Sequence, residues 1–144
     1  MKKTLSLILA LIMCLSLCAC GGGSGAKNST EEIETALNAL WIDTAPLSDT
    51  DFLVVKTYMF EGGNAVGGVD VSLGAGTNLP LTRASGTYEI TDGKIVIDWT
   101  TITEESDDLP AIVPDSELTY QYNDNTLSLI SQDGQAELER QDID

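Results

Sequence analysis

The stretch Gly86–Thr103, GTYEITDGKIVIDWTTIT, decides the fold. Asp92-Gly93 sits near its centre. Both residue types tolerate positive φ, so a two-residue hairpin loop of the type I′ kind is predicted there. The loop sets the register: Ile90 faces Ile95, Tyr88 faces Ile97 and Gly86 faces Trp99. On the other side Glu89 meets Val96 and Thr91 meets Lys94. One face is apolar and the other largely polar. A one-residue slip would exchange the faces, so turn and pattern support the same register.

The same logic extends toward the C-terminus. Leu118, Tyr120 and Tyr122 alternate with Thr119 and Gln121. A turn at Asp124-Asn125 sets Tyr122 opposite Leu127 and Tyr120 opposite Leu129. A turn at Asp133-Gly134 sets Leu129 opposite Leu138 and Leu127 opposite Arg140. Leu118–Arg140 is therefore predicted as a three-stranded meander. Toward the N-terminus, Phe52–Phe60 is apolar on both faces apart from Lys56 and Thr57, the pattern of a central strand. Glu61-Gly62-Gly63-Asn64 turns the chain, and Val69, Val71 and Leu73 then alternate with Asp70 and Ser72. Residues 74–85 (GAGTNLPLTRAS) and 103–116 (TEESDDLPAIVPDS) are expected to be loops, the second long and acidic. Seven strands without a crossover helix predict an all-β fold: an antiparallel up-and-down barrel or a meander sandwich.

One short helix is expected ahead of the strands, over residues 30–41. Ser29 and Glu32 form a capping box, and Ile33, Ala36, Leu37 and Leu40 recur on one face. Residues 43–51, turn formers around Pro46, are expected to be a linker.

The chain opens on Met1–Cys20, MKKTLSLILALIMCLSLCAC. Two lysines, an apolar run from Leu5 to Leu17 and a small residue near its end have the layout of a secretory signal peptide. About 15 apolar-rich residues are short for a membrane span, which needs roughly 20. Residues 20–30 then read as a flexible Gly/Ser tether, and 31–144 as the helix plus one β domain.

Charge and composition exclude several functions. The 7 Lys and Arg stand against 23 Asp and Glu; without Lys2 and Lys3 the formal charge is −18. Such a domain repels phosphate backbones, so nucleic acid is not an expected partner. There is no histidine, which removes the usual base of a Ser or Cys nucleophile and the usual zinc ligand. No phosphate-cradling loop occurs, because the Gly pairs lack strand-to-helix context. The 103–116 loop lacks EF-hand spacing. The expectation is no enzyme, no cofactor and no metal. The inward residues Tyr88, Trp99, Tyr120 and Tyr122 have two readings, as the lining of a ligand cavity or as the filling of a small barrel.

Two resemblances add to this. Leu17-Cys18-Ala19-Cys20 resembles the lipobox of bacterial lipoproteins. That implies cleavage before Cys20, a diacylglyceryl group on its thiol, and a place on the extracytoplasmic face of the cell membrane. With Cys14 and Cys18 removed, no disulfide would remain. The ordered set of FxxEGGN, GTYEITDGKIVI, ELTYQYNDNTLSL and a late Arg is similar to the small lipocalin-like domains of bacterial lipoproteins. It implies that Arg140 lies across Trp41 at the closed end of a barrel. Together these give an expected monomeric, membrane-tethered, non-catalytic binding module for a small apolar ligand or an envelope protein. The alternative is an interaction protein with a filled barrel that displays acidic loops to an envelope partner.

Overall fold

The computed structural model describes residues 29–109 and 111–143. The expected signal peptide, Cys20 and all but the end of the tether lie outside the described residues. One helix, α1 (Thr30–Leu37), precedes eight strands: β1 (Leu40–Pro46), β2 (Leu53–Glu61), β3 (Asn64–Ser72), β4 (Asn78–Thr91), β5 (Lys94–Glu104), β6 (Glu117–Asn123), β7 (Thr126–Ile130) and β8 (Glu139–Gln141). They form one antiparallel sheet in the order β7-β6-β5-β4-β3-β2-β1-β8. Each strand lies beside its sequence neighbour except β8, which runs beside β1. The result is an all-β, up-and-down, barrel-like fold.

The sheet curls until its edges meet through one segment. Leu138 donates its N–H to the Leu129 carbonyl at 2.8 Å, and Ile130 bridges Glu137. Three residues on, Arg140 pairs with Trp41 of β1. Residues 136–141 thus touch both edges of the sheet.

The hairpin registers from Tyr88↔Ile97 to Tyr122↔Leu127 are those expected from the sequence. Five features differ. The helix stops at Leu37, and Leu40–Pro46 is a strand rather than helix end and linker. Trp41 and Asp43 both turn inward there, which a turn-former reading of Asp43, Thr44 and Pro46 conceals. β4 begins at Asn78, so the expected 74–85 loop is mostly strand. Asp92 does not take positive φ; Gly93 alone does (+77°), so that turn is not type I′. Asp124 (+49°) and Asn125 (+61°) both do. Leu127 does not face Arg140, because β8 leaves β7 after Leu138 and pairs with β1.

The wall is uneven in height. β5 pairs with β4 along its length but with β6 only at Lys94–Val96. β1 pairs with β2 along its length but with β8 only at Leu40–Ile42. Beyond those points β1–β5 form an open trough. Its base is the main apolar cluster, with Leu37 of α1, Trp41, Tyr58, Phe60, Ile95, Leu118 and Leu129 at its centre. α1 packs on this end through buried Ile33 and Leu37, and its first turn is closed by a capping box: Glu32 N–H to Ser29 Oγ at 3.3 Å and Ser29 N–H to Glu32 Oε2 at 3.1 Å. A second, smaller cluster of Val54, Val69, Val71 and Leu81 lies at the other end of the trough.

Candidate functional site

Between the two apolar clusters lies a polar layer. The register builds it: Trp41↔Tyr58, Asp43↔Lys56 and Ala45↔Val54 are cross-strand pairs, and Lys56 in turn pairs with Val69. Inward positions on β1 and β2 therefore run aromatic, charged, small or aliphatic. Into this layer comes the returning half of the 105–116 segment. Ile112 packs on the smaller apolar cluster, and Pro114 is buried. The expected solvated acidic loop is so only in its first half; Ile112 and Pro114, alternating with exposed Ala111 and Val113, carry the second half inside.

Asp115 is the junction. Its Oδ1 meets Lys56 Nζ at 2.6 Å. Its backbone N–H donates to the Tyr58 hydroxyl oxygen at 3.0 Å, and its carbonyl accepts from Trp99 Nε1 at 3.2 Å. Gln132 N–H donates to Oδ2 at 3.1 Å. One residue thus ties β2, β5 and the turn after β7. Burial, with the Asp115 carboxylate next, pushes the Tyr58 phenol far above the ordinary tyrosine range. That ring is a fixed hydrogen-bonding group, not a proton carrier near neutrality.

Asp43 faces the same layer and is 5% exposed. Burial raises its carboxyl pKa; Lys56 acts to lower it, and Asp115 and Asp133 act to raise it. Its Oδ1 has no hydrogen-bond partner among the described residues, nor has the Oγ1 of fully buried Thr82. Thr82 faces Val69 across the sheet, beside the layer. Neither residue is marked by the sequence pattern. The cross-strand position of Asp43 opposite Lys56 is the one signal that could have pointed to it, and it requires β1 to be recognised first.

The residues singled out from sequence fall as follows. Tyr88 is buried, edge-to-face with Phe60 at 5.1 Å between centroids. It also reaches a surface groove beside Glu34 and Glu61. Tyr120, Tyr122 and Trp99 are half-buried against the same main cluster. The Tyr120 hydroxyl donates to the Thr91 carbonyl at 3.2 Å, which fastens β6 to the β4–β5 turn. Trp99 crosses the trough to Gly67: a Cβ there would lie 2.7 Å from Trp99 Cη2 and 3.1 Å from Pro114 Cγ. Trp41 is 1% exposed and donates Nε1–H to the Leu37 carbonyl at 3.1 Å. Arg140 Cζ lies 6.0 Å from the Trp41 ring centroid, and its guanidinium also pairs with Asp142 at 2.9 Å. No group of three or more acidic or thiol side chains placed to hold a metal ion occurs among the described residues.

Fold and site define an all-β, barrel-like protein whose trough is crossed by its own residues 111–116. No family model matches the chain, and no curated protein matches it in sequence.

Proposed function

We propose that this protein is a lipid-anchored, extracytoplasmic, non-catalytic binding module that engages an envelope partner through its surface. The observation that carries the surface reading is the inward fold of residues 111–116, with Ile112, Pro114 and the Trp99 indole occupying the trough. A segment of the chain itself stands where a lipocalin-like protein would hold a ligand. The anchoring rests on Leu17-Cys18-Ala19-Cys20 and the Gly/Ser tether that follows. Two chains on one Cys bury enough methylene groups, at about 0.8 kcal/mol each, to hold the protein at a bilayer.

A second reading, a small ligand held inside, is favoured by one observation: the unpaired, buried Asp43 Oδ1 and Thr82 Oγ1. Such groups cost free energy unless something meets them. Mass spectrometry of the protein purified from its source cells tests both parts. Diacylglyceryl mass on Cys20 with no retained small molecule is the expected result. Incorporation of labelled fatty acid into Cys20→Ala protein overturns the anchor, and a retained non-covalent ligand transfers the function to the trough.

A further inference from the structure

β5 is paired on both sides at its start and on one side thereafter. Ile97 N–H still finds the Ser116 carbonyl at 2.8 Å. From Asp98 to Glu104, no backbone partner on the β6 side occurs among the described residues. The phase of the ladder is fixed at its far end, where Glu105 N–H donates to the Leu81 carbonyl at 2.8 Å. Thr103↔Arg83 and Thr101↔Ser85 continue that register. Backbone groups alternate along an antiparallel ladder, so Thr101 and Thr103 spend theirs on β4, whereas Ile102 and Glu104 turn theirs outward. The register shift at Ser85/Gly86 leaves Thr100 unpaired between Trp99 and Thr101, so the regular, single-phase edge is 101–104.

The side chains suit a strand partner. Thr100, Thr101, Ile102 and Thr103 are β-branched and exposed, Ile102 at 46%. β-branched residues pack well across strands. Neither proline nor lysine, the usual blunting residues of an edge, occurs between Asp98 and Glu104. Acids bracket the run instead: Asp98 on one side, Glu104 and Glu105 on the other. That bracket decides the occupant. A second copy laid antiparallel along this edge would bring the acids at one end of its run toward those at the opposite end of the other, on a chain of formal charge −16. Like charges directly opposite are destabilising. A strand with basic residues at both ends meets the same edge with opposite charges.

We propose that the outer edge of β5 at residues 101–104, flanked by Asp98 and Glu105, takes an extended segment of a partner protein by strand addition, the segment being β-branched with Lys or Arg at its flanks. This rests on the surface-binding reading above and gives it a place and a partner chemistry.

The test uses the full chain in mild detergent and two capped peptides, KVTVTVR and its acid-flanked counterpart EVTVTVE, read by amide hydrogen exchange. The basic-flanked peptide should slow exchange at Ile102 and Glu104 by about tenfold or more, as pairing of an exposed amide does. The acid-flanked peptide should not. Ile102→Pro removes an outward N–H without breaking the β4 ladder, so it should keep the unfolding midpoint and lose the protection. No protection at saturating basic peptide overturns the proposal. So does a concentration-dependent dimer that protects the same amides without peptide. Photo-crosslinking in source cells separates this from the wider reading. Adducts from a probe at exposed Val66 of β3 but none from one at Ile102 would leave a surface-binding protein and remove the β5 edge.

Discussion

Asp43 shows how one side chain sets a pH response. Its carboxyl is buried, opposite Lys56, and its pKa is raised from the ordinary 3.8, chiefly by burial. The folded state therefore binds its proton more tightly than the unfolded chain does. Stability from this group falls as pH rises from 3.8 through the raised folded value and is flat above it. Asp133 acts in the opposite window. The Ser131 hydroxyl at 2.6 Å and the Gln135 N–H at 3.0 Å hold its carboxyl below the usual range. Its contribution is complete above 3.8 and is lost as pH falls through the lowered folded value. Asp43→Asn should abolish the fall above 3.8 and leave the protein at least as stable as wild type at pH 7, because Lys56 keeps Asp115. Urea midpoints from pH 3 to 7 check this; a mutant profile parallel to wild type would refute the assignment. None of this was legible in the sequence, where Asp43 stands among turn formers and nothing marks it as buried.

At the scale of elements, two glycines show how strands make room for each other. Gly67 of β3 faces the Trp99 indole, and that side chain can give way. Gly86 of β4 faces backbone: a Cβ there would lie 1.9 Å from the Asp98 carbonyl oxygen, next to the register shift. Gly67→Ala should cost about 1–3 kcal/mol, the usual cost of overpacking, and Trp99→Phe should recover part of it. Gly86→Ala should cost more and find no such partner. Thermal unfolding of the three variants and the double mutant decides; equal costs at the two glycines would contradict the geometry. The Gly86–Trp99 pairing itself could be read from the sequence, since turn position and apolar alternation pointed to one register. β1 could not, because Pro46 and Thr44 signal turns and only tertiary pairing with β2 makes Leu40–Pro46 a strand. The 105–116 segment fell between these cases. Its acids suggested a solvated loop, yet AIVP inside it was an apolar run that a solvated loop does not need.

For the whole molecule, the decisive link is residues 136–141, which hold the two edges of the sheet. β8 has three residues and all are exposed, so backbone pairing alone holds it weakly. Arg140 lies directly across from Trp41, 6.0 Å from the ring centroid, and Trp41 in turn ties α1 to the sheet through Leu37. A cation over an indole contributes about 0.5–2 kcal/mol. The competing partner is Asp142, but that carboxylate is 78% exposed. An ion pair in such a position contributes little and is screened by salt. Arg140→Lys keeps the charge and loses the planar fork, and Trp41→Leu removes the ring. Each should destabilise, and the double mutant should show a coupling above roughly 0.5 kcal/mol. The coupling should survive at high salt, where an Arg140–Asp142 pair would not. Simple additivity, or a coupling that vanishes with salt, would assign Arg140 to Asp142 and leave the barrel edges joined through Leu129–Leu138, the Ile130–Glu137 bridge and the three pairs of β8.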